Sequence, residues 1–196
     1  GSTARAHVER LATHASPFAR AHGARAAGVL RDEQLLRTLV SDPHANVRTA
    51  AVVALSDVAG RAADGVYISQ LADDESELIQ AASAALEGSS DPRAPSALLD
   101  ALDRITEAKS QTSRDARIAL LTRVGELGSR EQMPRLQPYL SDFDAVVAER
   151  AADVIAGIVL PRPPRYRAYV GATIAAGTSE IQRNIIATRG LGLPRG

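Results

Sequence analysis

Residues 42–55, Asp42-Pro43-His44-Ala45-Asn46-Val47-Arg48-Thr49-Ala50-Ala51-Val52-Val53-Ala54-Leu55, decide the fold. Val47, Ala50, Ala51, Ala54 and Leu55 fall three and four apart, the spacing of one face of an α-helix. The pattern then returns. Val47-Arg48, Ala50-Ala51 and Ala54-Leu55 recur 31 positions on as Leu78-Ile79, Ala81-Ala82 and Ala85-Leu86. Ala116-Arg117, Ala119-Leu120 and Val124 follow 38 positions later, and Val147, Ala151 and Ile155 another 31 after those. The longer interval contains the polar stretch 106–113, which reads as an extended loop.

Each copy is preceded by an acidic turn: Asp42-Pro43, Asp73-Asp74, Asp115 and Asp142-Phe143-Asp144. These carboxylates are expected to cap the helix that follows, accepting from its orphan amides and complementing its dipole. Gly60, Gly88 and Gly128 stand where a left-handed terminating residue is wanted. Upstream of each turn lies a second apolar pattern: Leu35, Leu36, Leu39, Val40; Val66, Ile68, Leu71; Leu98, Leu99, Leu102; and Met133, Leu136, Leu140. The repeating unit is therefore a helix pair. A single pair cannot bury its own apolar stripe, so neighbouring pairs must supply the missing surface.

An Asp, then Val-Arg, then paired Ala and Ala-Leu resembles the second helix of the HEAT-repeat family, most fully in Asp42 to Gly60. The likeness covers residues 32–160, with the Arg absent from the second and fourth copies. It implies an all-α fold, a right-handed α-solenoid whose second helices line a concave face. More narrowly, Ser129 to Asp153 resembles the helical repeats that precede the cyclophilin domain of some bacterial peptidyl-prolyl isomerases. No isomerase activity is implied, because 36 residues after Leu160 cannot form the β-barrel. Residues 1–31 read as a divergent N-terminal pair, with Ser16-Pro17-Phe18 as a helix start; Gly23 and Gly28 weaken its helical pattern, and Gly1-Ser2 looks like a cloning scar.

Pro161-Arg162-Pro163-Pro164 ends any helix and marks a junction. Beyond it, Gly177-Thr178-Ser179-Glu180-Ile181-Gln182-Arg183-Asn184-Ile185-Ile186-Ala187 and Arg189-Gly190-Leu191-Gly192-Leu193-Pro194-Arg195 resemble the extreme C-terminus of acyl-CoA dehydrogenases, over about 165–195. The resemblance implies that Thr178, Ser179, Glu180 and Gln182 match the stretch approaching the flavin. The family's catalytic carboxylate often precedes the Gly, and here that position is Ala176, which accepts no proton. Dehydrogenation by this chain is not expected. The tail of residues 165–196 reads instead as a C-terminal helix with an Ile181, Ile185, Ile186 stripe, and the whole chain as a fusion of two parentages.

Composition narrows the function. Hydrophobic residues make up 45% and charged residues 23%, enough for a packed soluble domain, while 3% aromatic content leaves an aliphatic core of closely packed helices. There is no cysteine, so neither disulfides nor thiolate zinc sites arise. No run reaches the length of a membrane span, and no secretion signal is visible, so a cytoplasmic protein without membrane contact is expected. The zero net charge conceals a division: residues 1–160 hold 17 basic and 22 acidic side chains, whereas 161–196 hold six Arg and only Glu180. Docking of the basic tail on the acidic array is one expectation from this division. Of 23 basic residues, 22 are Arg, which reads as coding bias. An acidic array with few aromatics does not fit nucleic-acid binding.

Catalytic motifs are absent from the sequence: no phosphate loop follows a strand, and there is no serine elbow or cysteine nucleophile. His7 and His14, two turns apart near Glu9, are the metal-site candidates, with surface histidines the simpler reading; His44 reads as part of a turn. The cluster Asp73, Asp74, Glu75 and Glu77 reads as a solvated helix start, with an ion or basic-partner patch as the alternative. The reading is a non-catalytic, cofactor-free scaffold that binds a protein or peptide on the concave face, with the recurrent Arg48 and Arg117 as partner-binding residues. The C-terminal helix is a candidate dimer element. Two alternatives are an enzyme of unpredicted chemistry, such as a metal-dependent hydrolase using the polar turns, and a remnant of a flavin-dependent acyl-CoA dehydrogenase.

Overall fold

The computed structural model describes residues 2–108 and 111–160. The described residues are helical, without strands. The expected C-terminal helix and the Pro161–Pro164 junction lie outside them. The chain divides into two compact units, Gly1–Arg123 and Val124–Gly196.

In the first unit, α1 (Ser2–Ala12) packs on α2 (Pro17–Val29), and α3 (Glu33–Leu39) on α4 (Ala45–Ala59); a 3-10 turn, Gly60–Ala63, leads into α5 (Asp64–Gln70), which packs on α6 (Ser76–Ala85). Next come α7 (Ala94–Glu107) and α8 (Arg114–Leu127). The polar stretch expected as an extended loop is mostly helical: α7 runs through Glu107, and Gln111–Ser113 is a 3-10 turn. The second helices are neighbours, α2 against α4 and α4 against α6. Ser83 Oγ on α6 donates to the Ala119 carbonyl on α8 at 3.2 Å.

Small side chains permit this closeness. Val47, Ala51, Val52 and Leu55 of α4, and Leu78, Ile79 and Ala82 of α6, are fully buried. The two glycines that weaken the first pair's pattern mark its tightest contacts. A Cβ on Gly23 would stand 2.7 Å from the Ala12 amide nitrogen of α1, and one on Gly28 would stand 2.9 Å from the Ala54 Cβ of α4.

Gly60 and Gly88 have φ of +52° and +65°, conformations that favour glycine after α4 and α6. Gly128 does not have positive φ, contrary to expectation. A Cβ there would lie 2.6 Å from the Val124 carbonyl oxygen, so closeness rather than handedness requires glycine. At the end of α2 the left-handed residue is Arg31, φ +52°. Its N–H donates to the Gly28 carbonyl and that of Asp32 to the Ala27 carbonyl, the Schellman closure with arginine in glycine's place.

The first two acidic turns work one step earlier than expected, and Asp115 lies in the first turn of α8 rather than before it. Asp42 accepts from the His44 amide at 2.9 Å, and Asp73 from the Glu75 amide at 3.0 Å. Neither carboxylate caps its helix. The N-cap of α4 is His44, whose Nδ1 accepts from the Asn46 amide at 3.3 Å.

The second unit contains the end of α8, a 3-10 turn Arg130–Gln132, α9 (Met133–Leu136), a 3-10 segment Gln137–Ser141 and α10 (Ala145–Val159). The pattern Met133, Leu136, Leu140 forms one α turn and then 3-10, because Pro138 supplies no amide to continue the helix. Met133, Leu136, Tyr139, Val147, Ala151 and Ile155 are buried. Here Asp144 does cap α10, accepting from the Val146 amide at 3.0 Å, while Asp142 accepts from the Asp144 amide at 2.8 Å. Gly125 of α8 lies where a Cβ would meet Val154 of α10 at 3.0 Å.

Candidate functional site

Arginine joins successive second helices at both ends. At the N-terminal end, the fourth residue of α2, Arg20, grips Asp42 in two-pronged fashion at 2.7 and 2.9 Å and donates to the carbonyls of His14 and Ala15. The fourth residue of α4, Arg48, repeats this arrangement: it donates to the Asp42 and Pro43 carbonyls at 3.0 and 3.2 Å and to the Asp73 carboxylate at 2.7 Å. The Arg20 hydrogen bond holds the Asp42 carboxyl below its ordinary pKa against the opposing effect of burial, with the His44 amide assisting. At the C-terminal end, Arg31 donates to the Val58 carbonyl at 3.2 Å and Arg61 to the Gly88 carbonyl at 3.1 Å, placing a cation at the negative end of the next helix. In the second unit, Arg130 reaches the Val159 carbonyl at 3.5 Å.

Arg48 and Arg117 are the residues expected from the sequence to meet a partner. Arg48 is engaged inside the helix array, and Arg117 has no exposed surface to present. His7 and His14 are also occupied locally. His7 Nδ1 lies 3.1 Å from the Arg10 guanidinium, which would repel a cation, and His14 Nδ1 accepts from the Ser16 amide at 3.0 Å. Among the described residues, no cluster of three or more His, Asp or Glu is arranged to hold a metal ion. Thr178, Ser179, Glu180 and Gln182 lie outside the described residues. No helix among the described residues is long and apolar enough to cross a membrane.

A groove of about 580 Å³ runs along α2 and α4 of the first unit and reaches the start of α6. The small residues Gly28, Ala50 and Ala54 line it, the two alanines buried. Their small size lets α2 and α4 approach closely and leaves a trough above the contact. Val29 and Val53 project from its sides, 84% and 50% exposed, a large exposure for branched aliphatic side chains. Polar groups complete it: Arg25 on α2, Asn46, Thr49 and Asp57 on α4, and Glu77 on α6. Sequence reasoning placed the concave face on the second helices but did not find this groove. Its one sequence signal is a small-residue run at Gly28 matched by Ala50 and Ala54.

A second polar feature lies at the far end of the same helices. Asp64, buried at the start of α5, accepts from the Ser89 hydroxyl, and Tyr67 donates to the Gly60 carbonyl at 3.1 Å. Burial, reinforced by the nearby Asp64, pushes the Tyr67 hydroxyl up to about 12. The Tyr67 bond fixes the turn after α4.

No protein-family model matches the chain, and no curated protein matches it significantly.

Proposed function

We propose that this chain is a non-catalytic, HEAT-like α-solenoid whose second helices bind a polypeptide segment. The observation that carries this reading is the groove over Ala50 and Ala54, where Val29 and Val53 stand exposed between charged side chains. A side chain laid over those valines would remove apolar surface from water at about 25 cal/mol per Å². The 31-residue recurrence and the arginine contacts between successive second helices support the stacked-repeat architecture. Such arrays offer extended surfaces suited to peptides. Architecture alone does not name a ligand.

The test is selection of a displayed random-peptide library against the intact chain, followed by measurement of the selected peptides against Val53→Arg. Enriched peptides whose binding falls at least about tenfold, about 1.4 kcal/mol, in that variant support the reading. An empty selection, or binding indifferent to Val53→Arg, overturns it.

A further inference from the structure

Charged groups at the N-terminal ends of α2 and α4 are paired across helices, Arg20 with Asp42 and Arg48 with Asp73. The groove differs. Arg25, Asp57 and Glu77 are exposed there, and none makes an ion pair or side-chain hydrogen bond with another described residue. Two unpaired carboxylates thus stand on the α4 and α6 side of an aliphatic trough, and one guanidinium stands on the α2 side.

We propose that the groove's ligand is a cationic amphipathic peptide, whose aliphatic side chains cover Val29 and Val53 while its Arg or Lys pairs with Asp57 and Glu77. This rests on the peptide-binding reading above and adds the chemistry of the partner. Two carboxylates against one guanidinium select a basic segment. The pairing is local to the groove, because the whole chain carries no net charge. Arg25 sets polarity, since the peptide's own carboxylate or a carbonyl-rich end faces α2 while its cation faces α4 and α6.

The experiment uses fluorescence anisotropy on the intact chain with three labelled peptides. They share one helical leucine stripe and differ only in polar positions, which are arginine, glutamate or glutamine. The arginine peptide is expected to bind about tenfold more tightly than the glutamine peptide. That preference should collapse between about 0.1 M and 1 M salt, as the screening length shrinks from about 10 Å to about 3 Å. Asp57→Asn with Glu77→Gln should cost the arginine peptide about tenfold. Glu9→Gln with Glu107→Gln, which removes the same charge from α1 and α7, should leave its affinity unchanged. Equal losses in the two double variants would reduce the effect to net charge and overturn the proposal, as would equal binding of all three peptides. If the glutamate peptide binds best and Val53→Arg abolishes that binding, the groove still binds peptides and only the cationic assignment fails. If no peptide, including those from the library, responds to Val53→Arg, both readings fail.

Discussion

α4 and α6 occupy equivalent places one repeat apart, yet they hold their next neighbour by different means. In α4 the fourth residue is Arg48, which bridges its own turn and the Asp73 carboxylate of the next. In α6 the equivalent residue is Ile79, fully buried, and the link to α8 runs through Ser83 and Arg123, whose Nε donates to the Ser83 carbonyl at 2.8 Å. Successive helices are thus fastened in both places, but by different residues. Arg48 is held by a carboxylate together with two carbonyls, whereas Arg123 donates to the carbonyls of Ser83 and Ala84.

The sharpest way to break this comparison is to put α4's residue into α6. Ile79→Arg would put a cation at a fully buried aliphatic position, and should destabilise the protein by about 4 kcal/mol or more, read from chemical denaturation. Asp42→Ala comes next. It strips Arg20 of its two-pronged partner and the His44 amide of its acceptor, and should lower Tm by roughly 5–10 °C. The control is Arg93→Ala, which removes an exposed guanidinium paired with Asp91 two residues away and should move Tm by no more than about 2 °C.

Acid sharpens the same contrast. The Asp42 carboxyl is depressed by Arg20, so its contribution is complete above the ordinary carboxylate pKa of about 4 and is lost as pH falls through the lower folded-state value. The Tm gap between the wild type and Asp42→Asn should therefore be widest near neutrality and narrow below about pH 4. Gly28→Ala probes the α2–α4 contact itself. Its Cβ would meet Ala54 Cβ at 2.9 Å, and overpacking should outweigh the helix-propensity gain, for a net loss of about 1 kcal/mol in a denaturation midpoint. Arg31→Gly should have the smallest effect. Relief of the left-handed backbone offsets the lost bond to the Val58 carbonyl, leaving stability within about 0.5 kcal/mol of the wild type.

The helices themselves were legible because close packing demands small residues at fixed spacing, and Ala50-Ala51, Ala81-Ala82 and Ala119 display that demand directly. The fastening was not. Arg20 and Asp42 are 22 residues apart, and Arg20 belongs to the divergent first pair, where no Val-Arg signal points to it. In the sequence the abundance of arginine looks like coding bias, yet Arg20, Arg31, Arg48 and Arg61 each bond across helices. The groove was hidden for a related reason. A glycine inside a helix reads as a weakness until its opposite number, Ala54, is known. That Asp57 and Glu77 have no partners is a fact about distances, which sequence spacing does not contain.

In the first unit α2, α4, α6 and α8 lie side by side in chain order. With no native cysteine, spin labels can be introduced cleanly at Val53, Ala84 and Thr122, equivalent exposed positions on α4, α6 and α8. Packed helices lie about 8–10 Å apart, so the label separation should be about 10 Å from 53 to 84 and about 20 Å from 53 to 122. A 53-to-122 distance no longer than the 53-to-84 distance would contradict the account.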